Sequence, residues 1–352
     1  MRVYHQLPSS SAATTPKAMA LGTFDGVHAG HKAVLQSALH QAHVLGVAPT
    51  VWTFANHPQS VLSHTPPKLL TTLEERLTLM EAMGFTDAYV IPFDDAVRTI
   101  TPEDFLTDWL YERCEARSLS VGYDFCFGRN REGNSQTLTQ WGQQNTVGIH
   151  IIPPVMANLH QGDLIVSSTV IRKLVTFGDV EQARQLLERP YTLTAPVVEG
   201  FQRGRKLGFP TANLCMTTLM NHHRVLPALG VYAGWAAMEG HSTPLMAVAN
   251  MGLSPTFETI TPAERLEVHL LEAPIGLDLN ILYGQTLSFA MTHRLRGEHI
   301  FSSVDALKTQ IALDCDAASQ LLGNDADTFQ PLTFSVAHQA QTKACDPSAA
   351  VP

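Results

Sequence analysis

The sequence predicts two domains of different class: a doubly wound parallel α/β sheet, then an antiparallel six-stranded-type β-barrel with a C-terminal helix. Three observations carry this. In the first half, short apolar runs alternate with helical patterns at the spacing of βαβ units. Beyond Arg189-Pro190 the pattern changes to strand-like segments punctuated by Gly and Pro. And 352 residues exceed what one compact core ordinarily spans. The expected boundaries are 1–188, 189–323 and a tail over 324–352, polar and without periodicity.

The elements follow in order. AMALG (18–22) reads as a buried strand, and Val34, Leu35, Ala38, Leu39, Ala42 and Leu45 recur at helical spacing after it. PTVWTF (49–54) is a second strand. Thr72 and Glu75 have capping-box spacing at a helix start. DAYVIPF (87–93), a helix over 101–114, SLSVG (118–122), a helix near 136–146 and GIHII (148–152) complete the series. In the second half TLTAPVV, GVYAGWAAM, LMAVANM, RLEVHLL and QTLSFAMTH read as strands. A helix from about Val304 to Leu322 presents Val304, Leu307, Ile311, Cys315 and Leu322 as one packing stripe.

Composition excludes several classes. The net charge of −9, without a dense Lys/Arg block, argues against a nucleic-acid or anionic-membrane surface. Five cysteines without a CxxC pair argue against a zinc knuckle or disulfide framework. The N-terminus lacks the apolar core of a signal peptide, and no apolar run is long enough for a bilayer. The expectation is a soluble cytoplasmic protein with free thiols.

The sharpest string of the first half is GTFDGVHAGH (22–31), where the first strand ends and a helix begins. In open α/β sheets ligands collect at the carboxyl ends of strands, and the free N–H groups of a helix start attract phosphate. His28 and His31, three apart, put both rings on one face of the first turns. Two imidazoles there can stabilise charge building on phosphate oxygens during nucleotidyl transfer. Gly22, Gly26 and Gly30 let backbone and triphosphate approach closely. The competing reading is an HxxH metal pair, but no third ligand stands at a familiar spacing and HExxH is absent. VSSTVIRKL (166–174) places Ser167, Ser168 and Thr169 at a helix start, where hydroxyls ordinarily cap. Arg172, one turn on, suits a phosphate oxygen.

In the second half, GRKLGFPTANL (204–214) contains neither a Walker A loop nor GxGxxG. Gly204 and Gly208 permit tight turns, while Thr211 and Asn213 offer a hydroxyl and an amide suited to Mg²⁺ or phosphate. A polar loop between strands is the alternative. In RLEVHLL (265–271), Leu266, Val268 and Leu270 share one face, Glu267 and His269 the other. A carboxylate on such a face is ordinarily just solvated.

Taken together, these strings resemble the HxGH nucleotidylyltransferase superfamily and, within it, the bacterial bifunctional riboflavin kinase/FAD synthetase family. The likeness takes in GTFDGVHAGH, TFANHP (53–58), VGYDFCFGRNREGN (121–134), VSSTVIR, ERPY (188–191) and GRKLGFPTANL. GVYAGW (230–235), ANMGLSPTFE (249–258), LYGQTL (282–287) and RLRGEHIF (294–301) extend it. It implies a Rossmann-like FMN adenylyltransferase domain over 1–188 and a riboflavin kinase domain over 189–323.

For the first domain it implies an ATP site of Gly22, Phe24, Asp25, His28 and His31, the histidines contacting the phosphates, with Ser168, Thr169 and Arg172 holding the triphosphate. His57, Pro58, Asp124, Phe125 and Phe127 would lie near the flavin, with core packing the equal alternative for Phe125 and Phe127. For the second it implies an ATP and metal site of Gly204, Lys206, Gly208, Pro210, Thr211 and Asn213, the last two binding Mg²⁺. Glu267 would be the catalytic base, and Arg296 and Glu298 part of a closing loop over flavin or nucleotide, unless they form a structural ion pair. The implied reactions convert riboflavin and ATP to FMN and ADP, then FMN and ATP to FAD and pyrophosphate, both with Mg²⁺. One departure stands out: the family usually carries an acidic residue and a proline before HP, and here stand Ala55 and Asn56. A kinase with a weakened adenylyl half, or a non-catalytic flavin- or nucleotide-binding regulator, are the alternative readings.

Overall fold

The computed structural model describes residues 1–9, 15–63, 65–160, 162–200, 203–238, 243–254, 263–271 and 282–325. The chain divides into two compact units, Met1–Ser168 and Thr169–Pro352. The expected tail falls outside the described residues from 326 onward.

The first unit is a parallel six-stranded sheet. Its strands are β1 (Arg2–Tyr4), β2 (Lys17–Leu21), β3 (Ala48–Phe54), β4 (Asp87–Ile91), β5 (Ala116–Gly122) and β6 (Gly148–Ile152). They lie in the order β1-β4-β3-β2-β5-β6. The chain runs outward from β2 through β3 to β4, then crosses back to β5 on the other side. The switch point therefore lies between β2 and β5, and the loop after β2 opens there. β2 and β4 are buried at every residue, as strands covered on both faces must be.

The helix Ala29–Leu45 buries Val34, Leu35, Ala38 and Ala42 and stops at Gly46, whose φ of 65° ends the helix in a left-handed turn. Leu45, expected in its apolar stripe, is instead exposed beside that turn. The capping box at Thr72 and Glu75 is complete, each side chain accepting from the other's main-chain N–H. The helix expected over 101–114 begins at Pro102 but is wound as a π-helix over Phe105–Arg113. There the Cys114 N–H reaches back to the Trp109 carbonyl, and Phe105, Leu106 and Leu110 stay in the core. The hairpin of β7 (Met156–Leu159) and β8 (Gly162–Ile165) and the strand β1 carry too little periodicity to be read in advance. The helix Val180–Leu187 is absent from the sequence reading although Val180, Ala183, Leu186 and Leu187 recur at helical spacing.

The second unit is a closed antiparallel barrel of β9 (Tyr191–Val198), β10 (Ala212–Leu214), β11 (Gly230–Met238), β12 (Leu245–Ser254), β13 (Ala263–Leu270) and β14 (Thr286–Gly297). The order is β10-β13-β12-β11-β14-β9, with β9 pairing back to β10. β10 comes from inside GRKLGFPTANL, where the sequence also read as a loop. The helix Val304–Asp325 packs Ala318 and Leu322 against Val231, Ala233, Trp235 and Val248 on the barrel's outer face. Val304, expected at the head of its stripe, is exposed, and Asp314 is buried in that face instead. Among the described residues no helix is long and apolar enough to cross a membrane.

Leu214 closes the barrel from a three-residue strand and is fully buried. Leu214→Ala is expected to remove about 3 kcal/mol of stability, the usual range for a Leu→Ala cavity, read as a lowered urea midpoint of the barrel transition.

Candidate active sites

The loop between β2 and the helix Ala29–Leu45 is held open by a buried carboxylate. Asp25 is 1% exposed. It accepts from the main-chain N–H groups of Leu70 and Thr71 at 3.0 and 3.1 Å and from the Thr71 hydroxyl at 3.2 Å. Thr71 Oγ1 accepts in turn from the Gly26 N–H at 2.9 Å. The guanidinium of Arg76, buried beneath, donates to the Thr23 carbonyl, and Ser168 Oγ donates to the Asp25 carbonyl at 2.8 Å. These ties hold an unusual backbone. Phe24, Gly26 and Val27 all have positive φ, of 51°, 87° and 41°, and for a β-branched residue such as Val27 that is strained.

Such a loop delivers two imidazoles to the helix start. His28 is the N-cap of the helix Ala29–Leu45, its Nδ1 accepting from the His31 N–H at 3.3 Å. The two rings stack with centroids 3.7 Å apart at 18°, and Phe24 packs edge-on against His31 at 5.4 Å. A Cβ at Gly22 would press on the Phe24 ring and one at Gly30 on the His28 ring, both at 3.0–3.2 Å, so the glycines give the rings room. Ser168, Thr169 and Arg172 lie in the first turns of the helix Ser168–Phe177.

The carboxyl ends of β3 and β4 carry an aromatic group. Phe54 packs edge-on against Phe93 at 5.1 Å and against Trp52 at 4.9 Å. His57 and Pro58 follow in a turn where His57 Nδ1 accepts from the Gln59 N–H. Beyond β5, Asp124 is exposed, Phe125 half-buried, and Phe127 in the core at 6% exposure, stacked against Phe125 at 5.5 Å. Phe127 thus belongs to the core, and Phe125 packs against that core from its edge.

In the barrel, the strand register assembles the polar groups. Asn213 of β10 stands opposite Glu267 of β13, which stands opposite Asn250 of β12; Asn250 is opposite Val231 of β11, and Val231 opposite Arg296 of β14. This row lies on the outer face, since the alternating neighbours Ala212, Leu214, Leu266, Val268, Ala249 and Met251 are buried in the interior. The Glu267 carboxylate is 22% exposed and lies 3.6 Å from Arg265. The segment before β10 is laid over this face. His269 Nδ1 meets the Pro210 carbonyl at 2.7 Å, and its ring packs edge-on against Phe209 at 5.7 Å. Gly204 approaches the Phe209 carbonyl so closely that a Cβ would overlap it, with Thr211 Oγ1 at 3.4 Å, and Gly208 turns with φ of 92°. The Lys206 side chain lies outside the described residues.

Arg296 is committed to a partner the sequence did not show. It forms a two-pronged pair with the buried Asp314 of the C-terminal helix, with nitrogen–oxygen distances of 2.8 to 3.1 Å. Glu298 Oε1 accepts from the Leu253 N–H, beside Asn250. His269 and Asp314 carried no motif signal of their own, and Asn250 stood within ANMGLSPTFE without being singled out. Only the alternation of RLEVHLL placed His269 on the polar face.

An α/β unit with two imidazoles stacked at its first helix start and a barrel with one carboxylate in its outer polar row fit the class of a two-module nucleotide-dependent transferase. Two family models match, FAD synthetase over residues 10–170 and riboflavin kinase over 187–322. Bifunctional riboflavin kinase/FMN adenylyltransferases of Escherichia coli strain K12 and Bacillus subtilis strain 168 are 33% and 32% identical over 87% of this chain and 92% of theirs. A crystal structure described as a macrolide-efflux protein from Streptococcus pneumoniae has a TM-score of 0.76 at 25% identity, covering 94% of this chain and all of that one. The chain belongs to the bifunctional riboflavin kinase/FMN adenylyltransferase family.

Asp25→Ala leaves the buried N–H groups of Leu70 and Thr71 without their acceptor. The expected cost is about 3 kcal/mol, measured by urea unfolding, with Asp25→Asn losing less because one amide oxygen remains.

Proposed function

We propose that this chain phosphorylates riboflavin to FMN in its barrel unit and adenylylates FMN to FAD, releasing pyrophosphate, in its α/β unit, with ATP as co-substrate in both. The observation that carries the reading is that both family models match the one chain, FAD synthetase over residues 10–170 and riboflavin kinase over 187–322.

The two reactions need different things from the protein. A riboflavin 5′-hydroxyl is a poor nucleophile, so the kinase site requires a base. Glu267 takes the hydroxyl proton as the oxygen attacks the γ-phosphorus, and the bond to the departing ADP breaks. Asn213 and Asn250 stand on either side of that residue in the strand register. Arg296, held by Asp314, and Glu298 border the same face. Among the described residues no three His, Cys, Asp or Glu side chains gather into a metal cage. Mg²⁺ takes few protein ligands and fills its shell with water and phosphate oxygens. Thr211 and Asn213 would hold it beside Glu267, and when bound it offsets charge on the triphosphate.

The FMN phosphate, in contrast, is already an anion. In adenylyl transfer its oxygen attacks the α-phosphorus and pyrophosphate leaves, so no base is called for. His28 and His31, with the N–H groups of the helix start, stabilise charge on the phosphates. Gly22 and Phe24 shape the loop, Asp25 holds it from beneath, and Ser168, Thr169 and Arg172 bind the triphosphate. His57, Pro58, Asp124 and Phe125 border the flavin, with Phe127 behind them.

Glu267→Gln is expected to lower FMN formation at least about 10³-fold while leaving FAD formation from supplied FMN unchanged. His28→Ala is expected to do the reverse, by about 10²-fold or more. Chromatography of the flavins after incubation with ATP and Mg²⁺ reads both. Loss of both activities from either folded variant would overturn the assignment.

A further inference from the structure

The Ala55-Asn56 pair, where the chain departs from the motif, builds a tie that the motif's proline could not make. β3 and β4 pair in register up to Phe54 and Ile91, and the Ala55 N–H extends the ladder to the Ile91 carbonyl at 3.0 Å. There the ladder should end. Pro92 has no N–H to give, and the β3 backbone turns away toward His57 and Pro58. The side chain of Asn56 continues it instead. Its Oδ1 accepts from the Phe93 N–H at 2.8 Å while its Nδ2 donates to the Phe93 carbonyl at 3.0 Å. Because a main-chain N–H can only donate, the amide has one orientation that satisfies both bonds. Asn56 thus presents to Phe93 the donor and acceptor of a missing main-chain unit.

What the tie holds is the aromatic mouth of the α/β unit. Phe93 packs edge-on against Phe54 at 5.1 Å, and Phe54 leads directly into Asn56. On the other side His57 and Pro58 are fixed by the Ser60 hydroxyl, which donates to the His57 carbonyl at 2.7 Å and lies 3.4 Å from Asn56 Nδ2. The strand also reaches the catalytic loop, with Thr53 Oγ1 donating to the Thr23 carbonyl at 3.4 Å.

We propose that Asn56 is a positioning residue for adenylyl transfer: its amide locks Phe93 to the end of β3 and so holds the Phe54–Phe93 pair and the His57–Pro58 turn in the shape that admits the flavin of FMN. The inference rests on the adenylyl-transfer reading above. It touches neither reacting phosphate, so its effect falls on flavin binding rather than on the ATP side or the chemical step. Asn56→Ala removes both bonds. Asn56→Asp keeps the size and the acceptor but sets a carboxylate oxygen against the Phe93 carbonyl.

Two measurements test it. In hydrogen exchange, the Phe93 amide of the wild-type protein is expected to be protected and to exchange at least about tenfold faster in Asn56→Ala. In steady-state assays of FAD formation, both variants are expected to raise KM for FMN about tenfold, with kcat and KM for ATP within about twofold of wild type. FMN formation from riboflavin is expected to be unchanged. An unchanged FMN KM, an unchanged Phe93 exchange rate in Asn56→Ala, or an equal rise in KM for ATP would each overturn the proposal. A wild-type protein that makes no FAD would instead overturn the adenylyl-transfer reading, and the exchange experiment would still decide whether the tie exists.

Discussion

A buried carboxylate must have its lone pairs accounted for, and the loop after β2 is organised around how Asp25 meets that demand. Its acceptors are filled by Leu70 and Thr71, two residues just ahead of the capping box at Thr72. Once those bonds form, the loop from Gly22 to Gly26 cannot relax away from the helix, and Phe24 and Val27 are kept in a conformation they would not choose alone. The stacked His28 and His31 rings are the consequence. The helix start and the two imidazoles are brought together by the loop beneath them.

The barrel solves a different problem with register rather than with a buried charge. A one-residue slip between β12 and β13 would carry Glu267 to the interior and Leu266 to the outside. The alternation of apolar and polar residues makes that slip costly, so Asn213, Glu267 and Asn250 are brought into one row by the same pattern that fills the core. The difference between the two sites follows from their substrates. Under the proposed reading a neutral hydroxyl needs a base nearby, and Glu267 stands between Asn213 and Asn250 in register. An anionic phosphate needs only a place where charge is welcome.

Local pattern made much of this legible. Five of the six strands of the parallel sheet, the helix after β2, the complete capping box and five of the six barrel strands follow from periodicity and turn residues. β10 was hidden because three residues preceded by Pro210 carry no periodicity, and its strand character comes from β9 and β13 on either side. The π-winding of Phe105–Arg113 was hidden because it is set by what the core accepts rather than by helix propensity. The Asp314 partner of Arg296 stands 18 residues away on another element, and Asn56 read only as a departure from a motif. In each of these cases the deciding contact is tertiary. His28 shows the middle ground: its place on the helix face was visible from spacing, its work as the N-cap was not.

The central claim is that one chain carries both steps, and the flavins themselves test it most directly. The purified protein, given riboflavin, ATP and Mg²⁺, is expected to yield FMN first and FAD after it on chromatography, with pyrophosphate released as FAD appears. FMN that accumulates without any FAD, even when FMN is supplied as the starting material, would contradict the account.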